Sequence, residues 1–420
     1  MKVNIWGEQR TQLKRLHILS ITLFIVIVYK GMQYAHWGIT GMVIERLFYV
    51  GFMFCFFFIQ IKKYKCNFRR DVLMLMILPF LSMINTYYLY AQGIIGSVNA
   101  WIGLFTWMIY FLLHKYKVSE RSILYALLCI SFIILIIQGI QQFTYPEVWF
   151  GRRSDNMMLE KGLTEVAEMR NGIWRFRMHN NAYYTVPVLF AIWSGICKKF
   201  DMKQAFVVLL LLVSVYLTLT RQVMVSCIFT MVSSLFMFGN NKHKVRVFLI
   251  TCLLIAGLYV SYEMLFSNLV EQTTEEKTDD NIRVLAALFF WNESTQNPIL
   301  FLFGHGLPSG SSAYTKYILD LRDFGFYTSD IGFIGQIYEA GFLSVFCFYL
   351  LAYKLCFKYK EKTPQYIKMF VLFTTIMSPM IFPILAPFQI VVWALLLYVC
   401  DLHINNSSLA LSPIKASKKE

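Results

Sequence analysis

Long apolar runs separated by short polar connections dominate the chain. A helix needs roughly 17–25 mostly apolar residues to cross a bilayer. Runs of that kind predict about twelve helices, near residues 16–34, 41–61, 72–90, 94–113, 121–140, 182–197, 205–220, 222–239, 245–262, 331–353, 367–382 and 384–401. The first run follows a basic segment (Lys2, Arg10, Lys14, Arg15) and has no small-residue cleavage site, so it reads as a retained span. Pro379, Pro383 and Pro387 crowd the last two runs. Those two form either full spans or a broken, partly re-entrant hairpin, which is allowed only where other protein covers the freed backbone groups.

The connections predict orientation. Lys62, Lys63, Lys65, Arg69 and Arg70 follow the second run, and Lys115, Lys117 and Arg121 follow the fourth. Lys198, Lys199 and Lys203 follow the sixth, and Lys242, Lys244 and Arg246 follow the eighth. Lys354, Lys358, Lys360 and Lys362 follow the tenth, and the tail carries Lys415, Lys418 and Lys419. Alternate connections are therefore basic, which puts them and both termini on the cytoplasmic side. The expected fold is an all-α polytopic membrane protein with N-in and C-in termini and two long extracytoplasmic loops. Its segments are helices 1–5 over 1–140, a first outer loop over 141–181, helices 6–9 over 182–262, a second outer loop over 263–330, helices 10–12 over 331–402 and a tail over 403–420.

Composition agrees with that reading. The chain is 57% hydrophobic and only 15% charged, against about 25% charged in a soluble domain. Its net charge of +15 would suggest nucleic acid in a soluble protein. Here the bases alternate with apolar runs, so a nucleic-acid partner is not expected and membrane lipids are. The nine cysteines fall in spans or on the cytoplasmic side and lack zinc-site spacing. They read as reduced, with no disulfide, metal or other cofactor.

Candidate chemistry lies in and beside the outer loops. Arg221 ends Leu217-Thr218-Leu219-Thr220 in a very short turn between two apolar helices. A guanidinium there either snorkels to headgroups or clamps an anion, since its planar fork matches phosphate. Arg175-Phe176-Arg177-Met178-His179-Asn180-Asn181 closes the first loop. It offers two arginines around an aromatic and a histidine, either a solvated rim or a groove for sugar and phosphate. Arg283 follows Asp280-Asn281-Ile282 in the first turn of an apolar helix running to Trp291, expected at the membrane interface. A cation there opposes the helix dipole, so an anion-binding role explains it better than stability does.

His305 stands between Gly304 and Gly306 after Asn297-Pro298, where glycines permit tight turns and close approach. Asp330, in Tyr327-Thr328-Ser329-Asp330, precedes the tenth run, where it can cap the helix or act as a base on a sugar hydroxyl. Glu339 lies about two turns deeper. An intramembrane carboxylate is a functional candidate by default, or it pairs with an arginine such as Arg221.

Taken together, these pieces resemble the O-antigen ligase/polymerase superfamily, the Wzy-type repeat-unit polymerases in particular. The likeness rests on Leu217-Thr218-Leu219-Thr220-Arg221-Gln222, on Arg283 and Trp291 ahead of Asn297-Pro298 and Gly304-His305-Gly306, and on His179-Asn180-Asn181. It covers roughly residues 140–350. Thr220 and Gln222 depart from the small neighbours usual beside the arginine. Ser329-Asp330 stands where ligases tend to carry a His-Asn pair.

The resemblance implies a GT-C-like bundle in a bacterial cytoplasmic membrane, with its site facing the periplasm or cell exterior. It implies a glycosyltransferase, inverting and metal-independent, that uses polyprenyl-pyrophosphate-linked glycans as donor and acceptor. A flippase and a chain-length regulator are implied partners. Arg221 and Arg283 are assigned to the pyrophosphate. Arg175, Arg177 and His179 are assigned to pyrophosphate or sugar, and the base to Asp330, His305 or Glu339. The alternatives are a ligase that transfers finished glycan to lipid A core, a flippase-type transporter, and a sensor or scaffold without chemistry.

Overall fold

The computed structural model describes residues 4–28, 38–59, 64–145, 149–150, 167–170, 172–176, 182–238 and 282–410. In chain order the described helices are α1 Asn4–Val28, α2 Gly38–Phe58, α3 Arg69–Tyr90, α4 Ile94–Tyr116 and α5 Glu120–Thr144. After a hairpin of β1 Ala167–Arg170 and β2 Ile173–Phe176 come α6 Ala182–Lys198, α7 Met202–Tyr216 and α8 Arg221–Phe238. The remainder are α9 Ile282–Thr295, α10 Pro298–Phe303, α11 Ala313–Asp323, α12 Gly332–Tyr353, α13 Gln365–Met377 and α14 Pro387–Ala410. Each apolar run named above overlaps a helix in its described part, except 245–262, which lies outside the described residues. Among the described residues five helices are long and apolar enough to cross a membrane: α3, α4, α5, α12 with its extension to Lys358, and α14. The protein is a helical membrane protein.

The chain divides into two compact units, each built from separated segments. The first takes residues 1–48, 116–274 and 365–373. Within it α5 packs on α1, α6 and α7, and α6 also packs on α8. Ile123, Leu127, Ile130 and Ile134 form the buried stripe of α5, at the three- and four-residue spacing that keeps side chains on one helix face. Ser119 caps that helix, accepting from Ser122 N at 3.1 Å. The hairpin docks on the end of α5 through Gln142, which donates to the Trp174 carbonyl at 2.7 Å and accepts from Trp174 N at 2.9 Å. Its signal in the sequence is the Asn-Gly pair at 171–172, a pair favoured in two-residue hairpin turns, which the apolar runs do not reveal.

The second unit takes residues 49–115, 275–364 and 374–420. Its centre is α14, buried along nearly all of Gln389–Asp401. The proline-rich stretch ahead of α14 is not helical, but its backbone groups are covered as the bilayer requires. Trp393 Nε1 donates to the Pro383 carbonyl at 3.1 Å, and Gln389 Nε2 donates to the Phe382 carbonyl at 3.1 Å. Asp401 is fully buried and accepts from Asn67 Nδ2 at 2.7 Å, from Asn67 N at 3.1 Å and from the Tyr110 hydroxyl, with His114 Nε2 at 3.0 Å. A buried carboxylate persists only with such partners. α3 packs on α10, α11 and α12. A Lys354–Asp71 ion pair of 2.6 Å ties α3 to the last turn of α12. The second long outer loop expected over 263–330 is mostly helical in its described part, carrying α9, α10, α11 and a 3-10 turn at Thr328–Asp330.

Candidate functional site

Within the second unit α12 is broken at Gly341, whose φ of 80° and ψ of 160° are not helical. A break frees backbone groups that a membrane protein must satisfy elsewhere. The Gly304–Gly306 loop satisfies them: His305 N donates to the Tyr338 carbonyl at 2.6 Å, and Gly306 N donates to the Glu339 carbonyl at 2.9 Å. The glycines are needed for this approach. A Cβ on Gly341 would lie 2.2 Å from the Leu302 carbonyl oxygen, and one on Gly304 would lie 2.6 Å from that of Glu339.

The loop is held from its other side by side chains of α3 and α11 and by Gln92. Asn85 Nδ2 donates to the Gly304 carbonyl at 2.7 Å, and the Thr86 hydroxyl to that of His305 at 2.6 Å. The Tyr314 hydroxyl donates to Gly306 O at 2.9 Å, and Gln92 Nε2 to Leu307 O at 3.0 Å. Each carbonyl from 304 to 307 thus has a side-chain donor.

His305 is buried, with its ring stacked on Tyr338 at 4.2 Å between centroids. Burial pulls its imidazole down to about 4, partly offset by the Tyr338 backbone, so the ring is neutral at pH 7. Among the described residues its buried Nδ1 has no hydrogen-bond partner. Tyr90 stacks on Tyr314 at 4.1 Å, which extends the aromatic layer.

Beside this layer lies a cavity of about 240 Å³. Tyr314, Ile318 and Arg322 line it from α11, and Thr328, Tyr338 and Glu339 line it from the segment entering and forming α12. Glu339 Oε1 accepts from the Thr328 hydroxyl at 2.6 Å. The charge of Arg322 acts on the same carboxylate. The site therefore offers a carboxylate and a guanidinium in front of two buried tyrosines.

The other sequence candidates fall as follows. Asp330 is exposed and accepts from the Ser329 hydroxyl at 3.0 Å. Of its two readings, capping is not observed: Ile331 is the N-cap of α12 without a side-chain bond, and Phe333 N donates to the Ser378 carbonyl at 2.9 Å instead. Asp330 is also not among the residues lining the cavity. Arg283 is exposed in the first turn of α9, and that turn carries no acidic residue.

Arg221 opens α8 after a turn in which the buried Leu219 takes a φ of +46°. That conformation is costly for a branched side chain and clusters at functional sites. Arg175 lies on β2 opposite Glu168 in register. Arg177 and His179 lie outside the described residues. Arg175 and Arg221 belong to the first unit, whereas Arg283, His305, Asp330 and Glu339 belong to the second.

Arg322 and the tyrosines at 90 and 314 were not singled out in the sequence. A signal was present for two of them. Ser312 caps α11, accepting from Thr315 N at 3.2 Å, and Tyr314, Ile318 and Arg322 then recur every four residues, which puts them on one helix face. No protein-family model and no curated protein matches the chain.

Proposed function

We propose that the protein is a membrane glycosyltransferase that polymerises polyprenyl-pyrophosphate-linked oligosaccharide repeat units. In this reading both termini face the cytoplasm, and the cavity opens toward the outer side of a bacterial cytoplasmic membrane. The observation that supports it best is the break at Gly341, which leaves the Glu339 carboxylate in a cavity beside the Arg322 guanidinium.

Extension of the glycan needs a base and a cationic clamp. The acceptor hydroxyl oxygen attacks the donor's anomeric carbon and gives its proton to Glu339. The bond from that carbon to the phosphate oxygen breaks, and polyprenyl pyrophosphate leaves with the electron pair. Fixed cations where negative charge develops are commonly the largest catalytic contribution. Arg283, which belongs to the same unit as Glu339, takes that role here. Glu339 is preferred as base over His305, which is buried and not among the residues lining this cavity, and over Asp330, which is exposed beside Ser329.

Glu339→Gln and Arg283→Ala are each expected to lower polymerisation about 10²–10⁴-fold, leaving single lipid-linked repeat units. A wild-type chain-length distribution on a glycan gel would remove that residue from the mechanism. Accumulated long lipid-linked chains in a null mutant would instead indicate a ligase.

The same break favours one second reading. Discontinuous helices with intramembrane charges also line transport sites, so Glu339 would serve a lipid-linked sugar transporter. Repeat units trapped on the inner leaflet of Glu339→Gln cells would select that reading; units on the outer leaflet would select the polymerase.

A further inference from the structure

We infer that the cavity between α11 and the broken half of α12 binds one uncharged sugar ring. Its identification as the acceptor subsite rests on the polymerase reading; its affinity for sugar does not. Three properties of the cavity lead there.

Size is the first. At about 240 Å³ the cavity has the room of about eight water molecules at ~30 Å³ each. That suits one pyranose with its hydroxyls, and any longer ligand would extend out of the cavity's open side.

Charge is the second. Arg322 and Glu339 face one space, and the charge of Arg322 acts on that carboxylate. A phosphate or uronate would gain the guanidinium but also meet the carboxylate, and like charges repel strongly in a partly desolvated site. A simple cation meets the reverse conflict. A neutral ligand that both donates and accepts satisfies both groups, and the pyrophosphate is left to sites outside this cavity.

Wall chemistry is the third. A pyranose has apolar C–H faces and a rim of hydroxyls. Leu307 and Pro308, both half-buried, supply aliphatic surface, and the fully buried rings of Tyr314 and Tyr338 back the wall. The carboxylate accepts from hydroxyls, and the planar guanidinium donates to two adjacent hydroxyl oxygens. Mostly apolar walls with a few placed polar groups are what orient a small ligand. The site is also prepared in advance. Tyr314 is fixed by its bond to Gly306 O and by stacking on Tyr90, and Tyr338 is fixed by His305.

The test is ligand binding to the full chain in nanodiscs, read by saturation-transfer NMR. The probes are methyl glycosides of neutral hexoses and N-acetylhexosamines, with methyl glucuronide and inorganic pyrophosphate as charged comparisons. At least one neutral glycoside is expected to bind. Arg322→Gln is expected to weaken it about tenfold, the effect of losing a charged donor to hydroxyls. Arg322 is exposed, so this variant should fold. Ala100→Phe, which projects a ring into the cavity, should abolish binding, with thermal melting confirming that it folds.

Binding of no neutral glycoside overturns the inference. So does tighter binding of pyrophosphate or the glucuronide, or neutral-glycoside binding that both variants leave unchanged. Glycoside binding lost in both variants, in a protein that fails to polymerise a synthetic lipid-linked repeat unit, supports the sugar site and removes the polymerase reading. Variants that lose glycoside binding yet make polymer at the wild-type rate overturn the acceptor assignment.

Discussion

Gly304 and Gly341 meet backbone against backbone, and the space a side chain would need is already filled. Gly341 at φ +80° has the Leu302 carbonyl oxygen 2.2 Å from where a Cβ would stand. Gly341→Ala is therefore expected to cost several kcal/mol, because strain at a positive φ adds to a clash with immovable backbone. Gly51 in α2 has nothing within 4 Å of the same position. Gly51→Ala should be stabilising by about 0.5–1 kcal/mol from helix propensity alone. Melting temperatures of the two variants in one detergent separate these outcomes; equal shifts would mean that the close approach at Gly341 is not maintained.

His305 yields a pH prediction at the same scale. Above about pH 6.5 its imidazole is neutral folded and unfolded and adds no pH dependence. Below that, the unfolded chain takes up a proton that the folded chain refuses until about pH 4. Stability should thus fall across the window from 6.5 to 4, by on the order of 3 kcal/mol from this group. His305→Gln should flatten that part of a melting-versus-pH curve; an unchanged slope would assign it to other groups.

At the scale of elements, α12 does two jobs with two halves. Its first half carries Tyr338 and Glu339 to the cavity, and its second half is anchored to α3 by the Lys354–Asp71 pair of 2.6 Å. Both side chains are largely buried, at 26% and 8% exposure. Removing one partner leaves the other charge uncompensated, so Lys354→Met should cost about 3–5 kcal/mol. Asp71→Asn combined with Lys354→Met should recover most of that loss, as a double-mutant cycle in detergent unfolding would read. Additive losses would show that the two groups do not interact.

α11 shows why such elements are hard to read from sequence. Its Ser312 cap and its four-residue spacing of Tyr314, Ile318 and Arg322 are legible as an amphipathic helix. That its buried face meets a cavity rather than a closed core depends on what lies opposite, and those residues come from α4, the loop after α10 and the start of α12.

At the scale of the whole molecule, orientation is the expectation with the sharpest test. Ser311, in the loop between α10 and α11, is exposed, as is Lys360 after α12. In a cysteine-free background, Ser311→Cys should react with a membrane-impermeant maleimide in intact cells, and Lys360→Cys only after permeabilisation. The reverse pattern would overturn the proposed outward-facing site.

The sequence by itself determined that the chain is a helical membrane protein and where its apolar helices run. Those follow from local quantities: run length, apolar content and the helix-stopping prolines. It also marked Gly304-His305-Gly306 and Glu339 as unusual, because glycine and an intramembrane carboxylate are costly without a reason. Only the tertiary structure decided what the reasons are. The Gly304–Gly306 loop repairs the helix break at Gly341, His305 is a buried neutral ring, and Arg322 rather than Asp330 shares the cavity with Glu339. Each of these depends on a carbonyl, a ring or a charge supplied from elsewhere in the chain, and no local pattern encodes which distant partner folding will bring.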